Sequence, residues 1–119
     1  MTIRRGEIYL ADFGKSRDSF AFGKMRPVLV LQSDKLNFAI KEGIYRHLLV
    51  VPLSTQNDIV TEEFRYPIAR RDALEADSFA VCNALCFLDV KYLKRRVATL
   101  NDEEMEAIGQ IVKAVCAIE

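Results

Sequence analysis

No stretch of this chain approaches the ~20 consecutive apolar residues that a bilayer span requires, although half of its 119 residues are hydrophobic. The start, "MTIRRGEIYLADF", carries a basic pair but no apolar h-region and no small-residue cleavage site, so it does not read as a signal peptide. The expectation is a cytoplasmic protein. Cysteine is scarce and odd in number, with Cys82, Cys86 and Cys116 only. That excludes a closed disulfide framework and suits a reducing compartment. Histidine occurs once, and no second cysteine pair accompanies Cys82 and Cys86, so the spacing is poor for zinc. Both thiols read as core residues. A glycine-rich phosphate loop, a nucleophile elbow and a metal-ligand cluster are all missing. So are repeats, low-complexity tracts and linkers. Residues 1–119 read as one domain, long enough to bury a core without staples.

Net charge is also missing: 17 basic side chains balance 17 acidic ones. The balance is uneven along the chain. Residues 101–119 hold five acids against Lys113, which leaves 16 basic and 12 acidic side chains in residues 1–100. A polyanionic partner is permitted by this distribution and not required by it.

The apolar pattern gives the architecture. "GEIYLADF" alternates like a strand, and "RPVLVLQSD" carries an apolar run that reads as a strand buried on both faces. Between them, "GKSRDSFAFGK" reads as a long basic loop holding Lys15, Arg17 and Lys24. "DKLNFAIKEG" suggests a short helical turn. "RHLLVVPLST" is a third strand ended by Pro52, and "EEFRYPIA" a fourth, pushed to an edge by Pro67. "RRDALEADS" is a turn or a single helical turn, "SFAVCNALCFL" a central strand, "DVKYLKRR" a short helical turn and "VATL" a brief strand. The end is an amphipathic helix. Asn101 is its N-cap, Glu104 completes a capping box, and Met105, Ile108, Val112 and Val115 share a face. Its acidic first turn suits the helix dipole and needs no functional reason. Strands outnumber helices without alternating with them. The fold class is therefore mainly β (α+β), a small antiparallel barrel or sandwich with a C-terminal helix.

Several residues carry chemistry on either of two readings. Arg26 is either one half of a surface ion pair at a strand entry or a fixed cation for a phosphate, which a guanidinium matches with a two-pronged fork. Ser54 and Thr55 either close a turn or hydrogen-bond a phosphate. His47 is structural, or a general base if it lies near Arg26. Asp77 closes a turn, or contacts substrate. The "KRR" of residues 94–96 is a solvated patch, or a phosphate contact.

Together these segments resemble the MazF/PemK family of toxins. The matching pieces are "RRGEIYLADF", "GKMRPVLVLQSDKLN", "VVPLSTQ", "DSFAVCNAL" with the following "LD", and "LNDEEMEAI", in the family's order. The resemblance implies an SH3-like antiparallel barrel with a C-terminal helix, usually a homodimer. It implies the toxin of a type II toxin–antitoxin system, a metal-independent endoribonuclease that needs no cofactor. The substrate is single-stranded RNA, cut to 2′,3′-cyclic phosphate and 5′-OH ends. The family's catalytic arginine and hydroxyl land on Arg26 and Ser54. Lys15, Arg17, Lys24, Thr55, Asp77 and Asn83 are the expected substrate contacts. The implied protein partner is a cognate antitoxin whose acidic, disordered tail covers the RNA site. Three departures stand out. "SFAFGKM" holds no acid where many members carry a glutamate. "NALCFLD" lacks the family's glutamine and arginine, with Asn83 and Cys86 in that region. Serine stands where threonine is frequent. They keep a second reading open, a non-catalytic binding protein on the same barrel, either a degenerate toxin or a poison directed at a protein.

Overall fold

The computed structural model describes residues 2–13 and 25–119. The alternating stretch after Gly6 forms β1 (Glu7–Asp12), and the apolar run forms β2 (Met25–Val30). Then follow α1 (Asp34–Lys41), β3 (His47–Ser54), β4 (Arg65–Ile68), β5 (Ser78–Val81), β6 (Cys86–Asp89), β7 (Leu93–Thr99) and α2 (Asp102–Val115). Short 3₁₀ turns lead into β4, separate β5 from β6 and lead into β7. Every strand pair is antiparallel. The sheet runs β4-β5-β3-β2-β1-β7, with β6 also paired to β3. The far ends of that order meet: the turn after β4 reaches β7, where the Ala73 N–H donates to the Val97 carbonyl at 2.9 Å. The result is the small, mainly β, antiparallel barrel with a C-terminal helix that the pattern predicts. No helix among the described residues is long and apolar enough to cross a membrane.

Two cores lie on opposite faces of β1, β2 and β3. Ile8, Leu29, Val51 and Leu53 point into the main one, which Met105 and Ile108 of α2 help to fill. Tyr9, Ala11, Val28, Val30, Leu48 and Val50 point into the second. Val28, Leu29 and Val30 are fully buried, so β2 is covered on both faces as its sequence suggests. Gly6 locks β1 in place. Its φ of +96° suits glycine, its N–H donates to the Val30 carbonyl, and its own carbonyl accepts from Leu100, both at 2.9 Å. Glu7, next along, is a buried carboxylate with three donors: the Arg4 N–H at 2.7 Å, the Tyr9 hydroxyl at 3.0 Å and the Arg96 guanidinium at 2.9 Å. Burial and the bond to Glu7 push the Tyr9 hydroxyl up to about 12.

Three elements differ from their sequence reading. Pro52 does not end β3. It sits between Val50, the last β3 residue paired to β6, and Leu53, the first paired to β5. The N–H that proline lacks therefore falls in a gap in the ladder and costs no bond. Residues 78–88 are not one central strand, because a 3₁₀ turn at Cys82–Ala84 splits them into β5 and β6. Residues 93–96 are strand, not helix. β7 keeps Lys94, Arg95 and Arg96 on the solvent side while Leu93, Val97 and Ala98 are buried. β4 is the edge strand expected of Pro67.

The capping box at α2 is complete: Asn101 Oδ1 accepts from the Glu104 N–H at 2.8 Å, and Glu104 Oε1 accepts from the Asn101 N–H at 3.0 Å. Arg71, from the barrel-closing turn, forks onto both Glu104 oxygens at 2.7 and 2.8 Å. These bonds, Arg71's first, hold the Glu104 carboxyl below its ordinary value of 4.5. A depressed carboxylate contributes stability above its unfolded value and loses it as pH falls through the folded one. Glu104→Gln should therefore cost about 1–3 kcal/mol at pH 7, with the gap to the parent narrowing below pH 4. Urea melts at both pH values test this; an equal gap at each contradicts it.

Candidate active site

The buried strands β2 and β3 share an end, and both leading candidates stand there. Arg26 is the second residue of β2, opposite Ala11 of β1. Ser54 is the last residue of β3, opposite Phe79 of β5. The β2–β3 ladder pairs Val30 with Val50, Leu29 with Val51 and Val28 with Pro52. Carried two residues further, that register sets Arg26 opposite Ser54. Residues directly opposite in an antiparallel pair have Cβ atoms ~4.5–5.5 Å apart. Both side chains lie on the face of the second core, in line with Val28 and Val50, and both are half-buried. The backbone positions of Arg26 and Ser54 are thus level with one another at the shared end of two buried strands.

Ser54 Oγ accepts the Gln56 N–H at 3.2 Å, the turn-closing bond expected of a hydroxyl after a strand. A hydroxyl that accepts one bond still has its O–H to donate. Thr55 follows, exposed and on the opposite face of the sheet. Together the pair offers a permanent cation and a neutral donor to one oxyanion, which is the chemistry a phosphodiester requires.

The other predicted residues divide. Lys15, Arg17 and Lys24 lie outside the described residues. Asp77 Oδ1 accepts the Arg70 N–H at 2.9 Å and so closes the turn between β4 and β5. Asn83 lies exposed in the 3₁₀ turn after β5, an element packed against α2. His47 opens β3 at the opposite end from Ser54, ~23 Å away at the usual strand rise, with its ring edge-on to Tyr45 at 5.7 Å. That position removes it as a base for chemistry at Arg26. Of the "KRR" patch, Arg96 is committed to Glu7. Cys82 is buried in the main core, and burial pushes its thiol up to about 11. Cys86 is half-buried against the second core, and burial raises its thiol also. Cys116 is exposed.

Two features escape the sequence reading. A cleft of about 240 Å³ opens on the other face of the same sheet end, where Pro27 and Thr55 meet Glu75 and Arg95. A second, of about 390 Å³, is walled by Phe13, Phe87 and Tyr92 beside the second core. Neither has a linear signature, because each gathers residues from distant parts of the chain.

A small antiparallel barrel, closed by a terminal helix and carrying a cation–hydroxyl pair at one sheet end, defines the class of protein. Comparison with known families specifies it further. Residues 4–116 match the model of the PemK-like, MazF-like toxins of type II toxin–antitoxin systems, and the chain belongs to that family. The fold is similar to that of the Mycobacterium tuberculosis toxin MazF-mt6, with a TM-score of 0.73 at 18% identity over 95% of this chain and 98% of that one. It is similar also to a MazE-MazF structure from Deinococcus radiodurans, with a TM-score of 0.75 at 12% identity over 100% and 99% of the two chains. A mycobacterial endoribonuclease in complex with its cognate antitoxin gives a TM-score of 0.73 at 15% identity over 99% and 96%.

Proposed function

We propose that this toxin is an endoribonuclease that cleaves single-stranded RNA, with Arg26 and Ser54 as its catalytic residues. The observation that supports the reading is the β2–β3 register, Val28 opposite Pro52, which continued by two residues brings Arg26 level with Ser54 at the shared end of the two strands. The RNA supplies its own nucleophile. The 2′-OH oxygen attacks the adjacent phosphorus and gives up its proton to a base. The P–O5′ bond breaks, and the departing oxygen takes up a proton. The products are a 2′,3′-cyclic phosphate and a 5′-OH. Charge on the phosphoryl oxygens grows towards the transition state, where a preorganised cation and donor act most strongly. Arg26 supplies that cation and is a poor base, since a guanidinium holds its proton. Ser54 donates to the same phosphate. The reaction so written calls for no metal and no cofactor. Lys15, Arg17 and Lys24 extend the contact along the RNA backbone, and Thr55 meets the RNA from the other face of the sheet end.

A non-catalytic binder has no use for a guanidinium and a hydroxyl held in register. The position of Cys86, where the family often has charge, supplies packing against the second core here. We assign two partners besides RNA. One is a cognate antitoxin whose acidic tail competes for the Arg26 end; the MazE-MazF structures of similar fold support it. The other is a second copy of this chain. On α2, Ile111 packs against the main core, while Ile118, beyond the end of the helix, is exposed. A contiguous apolar patch lies at Phe87, 62% exposed, and Tyr92, 43% exposed, continued by the half-buried Phe13 and Val90. Isologous pairing buries such a patch.

Arg26→Ala should lower the cleavage rate by roughly 10²–10³ with the circular dichroism of the parent. Arg26→Lys should recover part of it, because an ammonium keeps the charge and loses the fork. Ser54→Ala should be milder, Ser54→Thr near the parent, and His47→Ala indistinguishable from it. A folded Arg26→Ala that cleaves at the parent's rate refutes the assignment. Light scattering at micromolar concentration should give a dimer for the parent and a monomer for Phe87→Asp; a monomeric parent removes the second copy.

A further inference from the structure

We infer that the 240 Å³ cleft behind the catalytic pair takes one base of the RNA, next to the scissile phosphate, and that this base is guanine. The inference rests on the ribonuclease reading and deepens it.

Position comes first. Pro27 and Thr55, the chain neighbours of Arg26 and Ser54, line the cleft. Side chains alternate across a strand, so the catalytic pair and the cleft lie on opposite faces of one sheet end. β3 stops at Ser54, so Thr55 already lies beyond the end of the strand. A phosphodiester held across that end at Arg26 and Ser54 leaves the neighbouring base free to turn over it into the cleft. Single-stranded RNA is read by splaying out bases in this way.

Shape comes second. The cleft is smaller than the roughly 300–1,000 Å³ of a drug-sized site, which suits one flat ring system. Its apolar wall is Leu10, Leu74 and Val97, from β1, the barrel-closing turn and β7. β1 is paired with β7, and the closing turn is tied to β7 by the Ala73–Val97 hydrogen bond, so the cleft is part of the closed barrel.

Chemistry names the base. The cleft's charged groups are Glu75 and Arg95, one of each sign. They do not pair: the ion pairs among the described residues join Arg46 to Asp89, Arg71 to Glu104 and Arg96 to Glu7. A carboxylate and a guanidinium thus border one cleft with no ion pair between them. Guanine matches both. Its N1–H and N2–H donors lie side by side, as the two oxygens of a carboxylate require. Its O6 and N7 acceptors match an arginine fork. Adenine and cytosine each offer a carboxylate a single amino group, and uracil a single ring N–H.

The test has two readouts. The first is binding of uncleavable 2′-deoxy pentamers that differ only at the central base, measured by fluorescence anisotropy. Guanine should bind about tenfold tighter than adenine, with inosine, which lacks the N2 amino group, in between. Glu75→Gln and Arg95→Gln should each erase most of that ratio. Arg26→Ala should weaken all pentamers alike and keep it. The second readout is the sequence around cuts in a random RNA pool, where guanine should occupy one fixed position beside the cut. RNA cleavage without guanine preference, or a preference that survives Glu75→Gln, overturns the cleft assignment and leaves the ribonuclease standing. Guanine-selective binding without cleavage of any RNA supports the cleft and overturns the ribonuclease. Loss of both overturns both.

Discussion

β2 and β3 have no face to spare. Val28 and Val30 fill one core and Leu29 the other, while Leu48 and Val50 oppose Val51 and Leu53 in the same way. A slip of one residue between the strands exchanges the two faces and moves every one of these side chains to the opposite core. Register is therefore fixed by packing on both sides at once. Arg26 and Ser54 inherit that constraint, because they continue the same two strands to their shared end. A charge and a hydroxyl on mobile loops reach the same distance only at a cost in entropy. On these strands the cost is met by the cores. The remainder of the barrel supports the arrangement: Gly6 pins β1 to β2 and to the strand leading into α2, and Arg71 ties α2 to the turn that closes the sheet.

Much of this was legible in the chain because it is written locally. The run Val28–Leu31 has no polar face, and that is the mark of a strand buried on both sides. Asn101 and Glu104 are three apart, and three is the spacing a capping box needs. Pro67 marks an edge because it cannot donate to a second neighbour. The arginine of "RPVLV" was conspicuous for the same kind of reason, a permanent charge directly before a buried run.

What was not legible depends on partners far away in sequence. Between Phe79 and Leu88 only Asn83 is polar, and no glycine or proline announces a break. The break at Cys82–Ala84 exists because β3 is longer than either neighbour and is served by β5 at one end and β6 at the other. Pro52 looks like a terminator until the gap between those two pairings is known. Arg96 looks like a solvated patch until Glu7, 89 residues earlier, is found buried beneath it. His47 was a candidate base only while its distance from Ser54 was unknown. Glu75 and Arg95 meet at a cleft that exists because the barrel closes, and no linear pattern records closure.

In the proposed reaction the RNA's own 2′-OH is the nucleophile, and the Arg26–Ser54 pair stabilises the phosphoryl charge. The most direct test is to incubate the purified protein with a mixed RNA in EDTA and identify the end groups of the products. The account predicts cleavage, with 2′,3′-cyclic phosphate on one side of each cut and 5′-OH on the other. Cuts that leave a 5′-phosphate, or an RNA left intact until a divalent metal is restored, contradict it.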